Sequence, residues 1–226
     1  MSRKYPAGAP GPNDFPPRTG RPPATSRAEV LTAARRLIDA EGWDALSLRR
    51  LAAEVGIGTA TLYRHVRSRE DLLLMLLDEH AAGASRPPLP PEPRERIVTA
   101  AAALHAMLAD WPWAAEVLTS DGFVGLLSEE SLWPVEAIVA GAVDAGCSEE
   151  EAVTVFRSLW YYTVGEILVR ARTRRSGPRS RGTPASADPS AVPVLASIGD
   201  RWPELAARDT YVDGLRAFVA GLLDAR

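Results

Sequence analysis

Between positions 47 and 69 the chain concentrates side chains suited to a polyanion. Arg49, Arg50, Arg64, Arg67 and Arg69 share the segment with Glu54 as its only acidic residue. Among them stand Thr59, Thr61, Tyr63 and His65, whose hydroxyl, phenol and imidazole groups hydrogen-bond phosphate oxygens and base edges. Ala60 offers only a methyl contact, to thymine for example. Catalytic chemistry is not gathered in the same way anywhere else. There is no glycine-rich phosphate loop, nucleophile elbow or metal-binding cluster, and His65, His80 and His105 have neither cysteine partners nor zinc-motif spacing. No catalytic residue, no metal and no cofactor is expected.

These groups need a frame that fixes their spacing. Leu48, Leu51, Ala52 and Val55 recur as one buried helical face with Arg49, Arg50 and Glu54 outside it. Gly56 ends that helix, because glycine takes a left-handed backbone at low cost, and Ile57 drops into the core beside it. A second helix follows. It buries Leu62 and Val66 and exposes Thr59, Ala60, Thr61, Tyr63, Arg64 and His65. Such a helix-turn-helix lays the N-terminal part of its second helix against base edges in the major groove. Upstream, Ser26 and Glu29 form a capping box for a helix through Val30, Ala34, Leu37 and Ile38 to Glu41. Downstream, Ser68 caps a fourth helix running from 68 to about 84, with Glu70 and Asp71 at its positive end.

With these elements in hand, the run from Glu29 to His80 resembles the N-terminal domain of the tetracycline-repressor (TetR) family of bacterial transcription regulators. Leu51-Ala52-Ala53-Glu54-Val55-Gly56-Ile57 and Thr61-Leu62-Tyr63-Arg64-His65-Val66 carry the resemblance. It implies an all-α protein with an N-terminal three-helix DNA-binding domain and a larger helical ligand-binding and dimerisation domain. It also implies that Arg49 meets DNA from the first helix, that Thr59, Ala60 and Thr61 read bases, and that Tyr63, His65 and Arg69 hold phosphates. The partners it implies are a double-stranded, palindromic operator, a small-molecule effector and a second copy of the chain. Repression relieved by the effector is the family's majority mode.

The remainder is read by composition and pattern. Net charge is only -3, yet local distribution rather than the total decides affinity for DNA. The single cysteine, Cys147, excludes an intrachain disulfide and is expected to be a small buried residue. No run approaches the roughly 20 apolar residues a membrane helix requires, so a cytoplasmic protein without a membrane partner is expected. Residues 1–24 mix proline, glycine and alanine with Arg3, Lys4, Arg18 and Arg21, and are expected to be a disordered basic arm. The DNA-binding domain is placed at 25–70 and the effector and dimerisation domain at 71–226, with the fourth helix as connector.

Prolines between Ser85 and Pro93 stop the fourth helix and make a stiff linker. Helices are then expected through Ile97, Ala101 and Leu108, over Trp113 to Leu118, and over Glu130 to Ala145. A second capping box, Ser148 to Glu151, opens a long helix apolar nearly all round, and a last helix carries Tyr211, Leu215, Phe218, Val219 and Leu222. Both have more apolar surface than one subunit covers, in keeping with the four-helix dimer contact the family resemblance implies. A flexible, arginine-rich loop is expected at about 173–192. Trp111, Trp113, Phe123, Trp133, Trp160, Tyr161 and Tyr162, with His105, Met107 and Glu166, suit the walls of an effector pocket. The site expected from them comprises His105, Trp111, Trp133, Trp160 and Glu166, although the same side chains also suit core packing. An enzyme is the competing class, disfavoured by the missing motifs. A ligand-binding module with an idle DNA surface is another, and its effect would survive Arg49→Ala and Tyr63→Ala.

Overall fold

The computed structural model describes residues 25–119, 123–175 and 188–225. The basic arm, most of the arginine-rich loop and the side chain of Phe123 lie outside the described residues. What is described is helical, without a strand: α1 (Arg27–Glu41), α2 (Leu48–Val55), α3 (Thr59–Leu62), α4 (Arg69–Gly83), α5 (Pro93–Ala109) and α6 (Pro112–Val117). After a 3-10 turn follow α7 (Glu129–Asp144), α8 (Glu149–Arg175), the short α9 (Pro193–Ile198) and α10 (Trp202–Ala206), and α11 (Tyr211–Asp224).

Local chemistry sets most of these boundaries. Ser26 accepts from the Glu29 backbone at 3.2 Å while the Glu29 carboxylate accepts from the Ser26 N–H at 2.7 Å, so the first capping box is complete. Ser148 and Glu151 repeat it at the start of α8. At α5, Glu92 accepts from the N–H groups of Arg94 and Glu95 at 3.1 and 2.7 Å, and Pro93 occupies the first turn, where its missing N–H costs nothing. The segment from 193 to 206, left without helices by the sequence pattern, forms α9 and α10. Neither buries a residue, so no apolar stripe announces them.

Two cores organise the helices. Val30, Ala34, Ile38, Leu51, Leu62, Leu72 and Leu76 of α1 to α4 form the first, each at most 2% exposed. Burying side chains of this kind contributes roughly 1.5–3 kcal/mol apiece. This core does not stop at the Pro-rich linker: Leu104 and Leu108 of α5, Trp111, Ala114 of α6, and Val164 and Ile167 of α8 complete it. The second core joins α5, α7, α8 and α11 through Ile97, Ala101, Ile138, Leu159, Leu215 and Val219, and contains the buried Cys147. Here α5 and α7 pack closely at Gly141, where a Cβ would stand 2.7 Å from Ile97 Cγ1 and 3.3 Å from the Pro93 carbonyl oxygen.

Candidate functional site

The turn between α2 and α3 is closed by backbone hydrogen bonds. Gly56, at φ +75°, donates to the Ala53 carbonyl at 3.2 Å, and the next N–H, of Ile57, reaches back to the Ala52 carbonyl at 3.0 Å. This pairing is a Schellman motif. It satisfies the last carbonyls of α2 and seats Ile57 against the first core. The regular part of α3 is shorter than the sequence pattern suggests: after Leu62 it tightens into turns in which Arg64 donates to Thr61 and His65 to Leu62.

On this frame Thr59 and Ala60 are exposed, Tyr63 is 52% exposed, and Thr61 and His65 are half-buried. Arg49, Arg64 and Arg67 are exposed, and among the described residues their guanidinium groups form no salt bridge, although the Arg67 backbone N–H donates to Asp71 at 2.7 Å. Other cations of the region are committed elsewhere, Arg50 to Glu41 and Arg36 to Glu54. Arg69 departs from the sequence expectation of a phosphate contact. Its guanidinium donates to the Trp43 carbonyl at 2.7 Å and lies 4.8 Å from the Trp43 ring centroid, with Nε buried.

The second feature is a cavity of about 70 Å³ between α4, α5, α7 and α8. Leu77 and His80 of α4, Leu104 and Met107 of α5, Ser131 and Val135 of α7, and Phe156 and Trp160 of α8 contribute its walls. His80 Nε2 donates to the Met107 carbonyl at 2.8 Å, bridging α4 to α5. Asp78, two residues earlier, accepts from Ser128 at 2.5 Å and from Ser131 at 2.9 Å at the start of α7. Two polar latches therefore hold α4 to the helices that enclose the cavity.

The five side chains expected to form a pocket are dispersed. Trp160 lines the cavity, as does Met107. His105 and Glu166 instead hydrogen-bond each other at 2.5 Å, Arg170 pairs with Glu166, and His105 stacks on Tyr211 at 4.0 Å, so their polar atoms are used in joining α5, α8 and α11. Tyr211 also meets Thr163 at 2.8 Å, and burial pushes its phenol up to about 12. Trp133 borders a separate shallow groove near Arg86, whose guanidinium is 5.8 Å from the Trp133 ring. Tyr161 is 60% exposed, and Tyr162 stacks on Tyr211.

Trp111 belongs to a column of rings. His80 stacks on Trp111 at 4.1 Å, Trp111 on Trp113 at 5.4 Å and Trp113 on Trp43 at 5.3 Å, and Arg69 closes the far end. Arg35, paired with Glu79 at 3.2 Å, covers Trp111 at 4.9 Å. Offset stacks of this kind contribute about 0.5–1.5 kcal/mol each beyond their buried area. The column runs from a cavity wall to the residue that opens α4, immediately after the recognition segment. His80, Asp78 and Ser131 escaped the sequence reading. The signal for the first two was slight: they stand with Glu79 just after the apolar run Leu72–Leu77.

Comparison with known proteins agrees with both halves of this architecture. The family described as bacterial regulatory proteins, tetR family, matches residues 30–76, and the tetracyclin repressor-like C-terminal domain matches residues 87–225. The HTH-type transcriptional repressor DrrR1 of Streptomyces coeruleorubidus is 28% identical over 91% of this chain and 77% of its own length. The tetracycline repressor protein class E of Escherichia coli is 30% identical over 65% of this chain and 69% of its own. Among solved structures, apo ActR from Streptomyces coelicolor shares the fold with a TM-score of 0.70, at 24% identity over 89% of this chain and 96% of that one. The described residues hold no group of three or more side chains fit to bind a metal, and no helix long and apolar enough to cross a membrane. The second match alone spans more than half of the sequence, and the chain belongs to the tetR family of bacterial regulatory proteins.

Proposed function

We propose that the chain is a repressor that grips a palindromic operator as a homodimer and lets go when a small molecule fills the cavity beneath α4. The observation that carries this reading is the exposed set Arg49, Thr59, Ala60, Tyr63, Arg64 and Arg67 on a helix-turn-helix. The helix that follows it, α4, is at the same time a wall of an apolar cavity. Residues 25–70 read the DNA and residues 71–226 sense the effector and pair the subunits, in the cytoplasm, where the operator is. Thr59, Ala60 and Thr61 are the base-reading positions, and Arg49, Tyr63 and His65 hold phosphates. One recognition segment this short touches few bases, so two copies on a twofold axis are needed to reach operator affinity. The second copy covers apolar side chains that a single chain leaves in water: Tyr161 and Val169 of α8, 60% and 66% exposed, and Val212 and Phe218 of α11. Effector and operator then oppose each other through the position of α4, and the coupling is reciprocal.

A mobility shift with DNA from upstream of its own coding sequence, under competitor DNA, tests this. The wild type gives a saturable complex on a palindrome. The Arg49→Ala/Tyr63→Ala double variant, still folded by circular dichroism, loses it. Equal binding by the two proteins, or binding without sequence preference, would sink the reading.

A further inference from the structure

The geometry points to an effector that is uncharged, largely aromatic or apolar, and equipped with a hydroxyl (or N–H) group that donates a hydrogen bond. This deepens the regulator reading and rests on it for the word effector, but the chemistry is that of the cavity alone. Among the described residues no Asp, Glu, Lys or Arg side chain lines the cavity, whose walls are apolar or aromatic apart from His80 and Ser131. A ligand charge placed there would lose its hydration without meeting a carboxylate, ammonium or guanidinium of the described lining, at a cost of several kcal/mol. The Asp78 carboxylate is hydrogen-bonded to the lining residue Ser131, and its Oδ1 is already taken by the hydroxyls of Ser128 and Ser131.

What the polar groups still offer follows from what they have spent. His80 uses its Nε2 proton on the Met107 carbonyl, so in the neutral ring the remaining nitrogen, Nδ1, is an acceptor. Ser131 gives its only proton to Asp78, so its oxygen too retains only lone pairs. Both groups ask for a donor. A ligand carbonyl or ether facing them would set lone pairs against lone pairs. A hydroxyl satisfies them.

The cavity of about 70 Å³ has room for two or so waters at roughly 30 Å³ each, whereas drug-sized ligands fill about 300–1,000 Å³. An aromatic compound therefore enters only as the walls part. The donor that draws it in is directed at His80 on α4 and at Ser131, the residue to which α4 is latched through Asp78.

Equilibrium dialysis of the full-length protein without DNA, using naphthalene probes that differ only in one group, tests the chemistry apart from the regulator reading. 1-Naphthol is expected to bind about tenfold more tightly than 1-methoxynaphthalene, the factor one hydrogen bond commands. It should likewise outbind the anion 1-naphthoate and the cation 1-naphthylmethylammonium. Ser131→Ala and His80→Phe, each removing one acceptor, are expected to shrink the preference over the methyl ether. The inference is overturned by equal binding of either charged probe, by equal binding of the ether, by a preference that survives in both variants, or by no binding of any probe up to its solubility. Operator shifts run on the same preparations keep the two claims separate. A lost operator complex with an intact naphthol preference removes the regulator and leaves the cavity chemistry, and the reverse result does the opposite.

Discussion

Arg69 poses the sharpest conflict between a role expected from sequence and one visible in the fold. Its guanidinium is held by the Trp43 carbonyl at 2.7 Å and by the Trp43 ring face at 4.8 Å, at the junction of the recognition segment and α4. A hydrogen bond from a charged donor contributes about 1.5–3 kcal/mol, and a cation over an indole at a half-exposed site about 0.5–1 kcal/mol. The buried Nε without a partner subtracts from that sum. A net contribution of about 2 kcal/mol remains, and in a chain of 226 residues each kcal/mol moves Tm by about 2–4 °C. Arg69→Gln is therefore expected to lower Tm in calorimetry by roughly 4–8 °C. Arg69→Lys should fall nearly as far, because an ammonium keeps the charge but has neither the planar face nor the fork.

The operator titration separates the two roles. Each lost phosphate contact reduces the slope of log affinity against log salt by about 0.9, hence by about 1.8 for the two subunits of a dimer. Arg49→Ala is expected to show that reduction with little change in Tm. Arg69→Gln is expected to show the opposite, a lower Tm and an unchanged slope. An unchanged Tm with a slope reduced by about 1.8 would make Arg69 a phosphate contact and the Trp43 stack incidental.

Three further outcomes follow from positions already described. Gly56→Ala places a Cβ at φ +75°, where L-residues lose about 1–2 kcal/mol, while Gly58→Ala at φ -69° and with open space around it costs little. Chemical denaturation of the pair should differ by that amount, and equal stabilities would remove the left-handed turn as the reason for glycine. Gly141→Ala drives a Cβ against Ile97 and the Pro93 carbonyl, and overpacking of this kind costs about 1–3 kcal/mol. A Tm equal to wild type would show that α5 and α7 separate freely. Burial raises the Tyr211 phenol to about 12, above the unfolded value near 10, so the folded state holds this proton more firmly. Its contribution, on the order of 2–3 kcal/mol, is fully present below pH 10 and is lost as pH climbs toward 12. Tyr211→Phe should abolish that part of the alkaline loss in denaturant titrations, and an identical pH profile would count against the burial.

Much of the DNA-facing half was legible because its determinants are local. Capping serines three residues before an acidic partner, a glycine at a left-handed turn and a 3.6-residue apolar period each act within a few positions. The cavity was not legible for the opposite reason. Whether an indole packs into a core, borders a groove or lines a cavity depends on how helices far apart in sequence lie against one another, and Trp111, Trp133 and Trp160 met three different fates. His105 and Glu166 were read as polar handles for a ligand. Their chemistry was spent on each other because α5 and α8 bring them within 2.5 Å, a juxtaposition of residues 61 positions apart. Arg69 shows the same limit, since its partner Trp43 lies 26 positions upstream.

The first core, continuous across the Pro-rich linker, bears on how such a protein can be recombined. A head exchanged at residues 85–92 would arrive with its own Trp43 but face another parent's Trp111, Trp113, Leu104 and Ile167, on which α1 to α4 depend for burial. Reading head and sensing body are thus interlocked parts rather than interchangeable ones. Substitutions at Thr59, Ala60 and Thr61, the proposed base-reading positions, leave that seam untouched, whereas wholesale shuffling must transplant the seam as well. Diversification by point substitution on the recognition segment is the route this architecture leaves open.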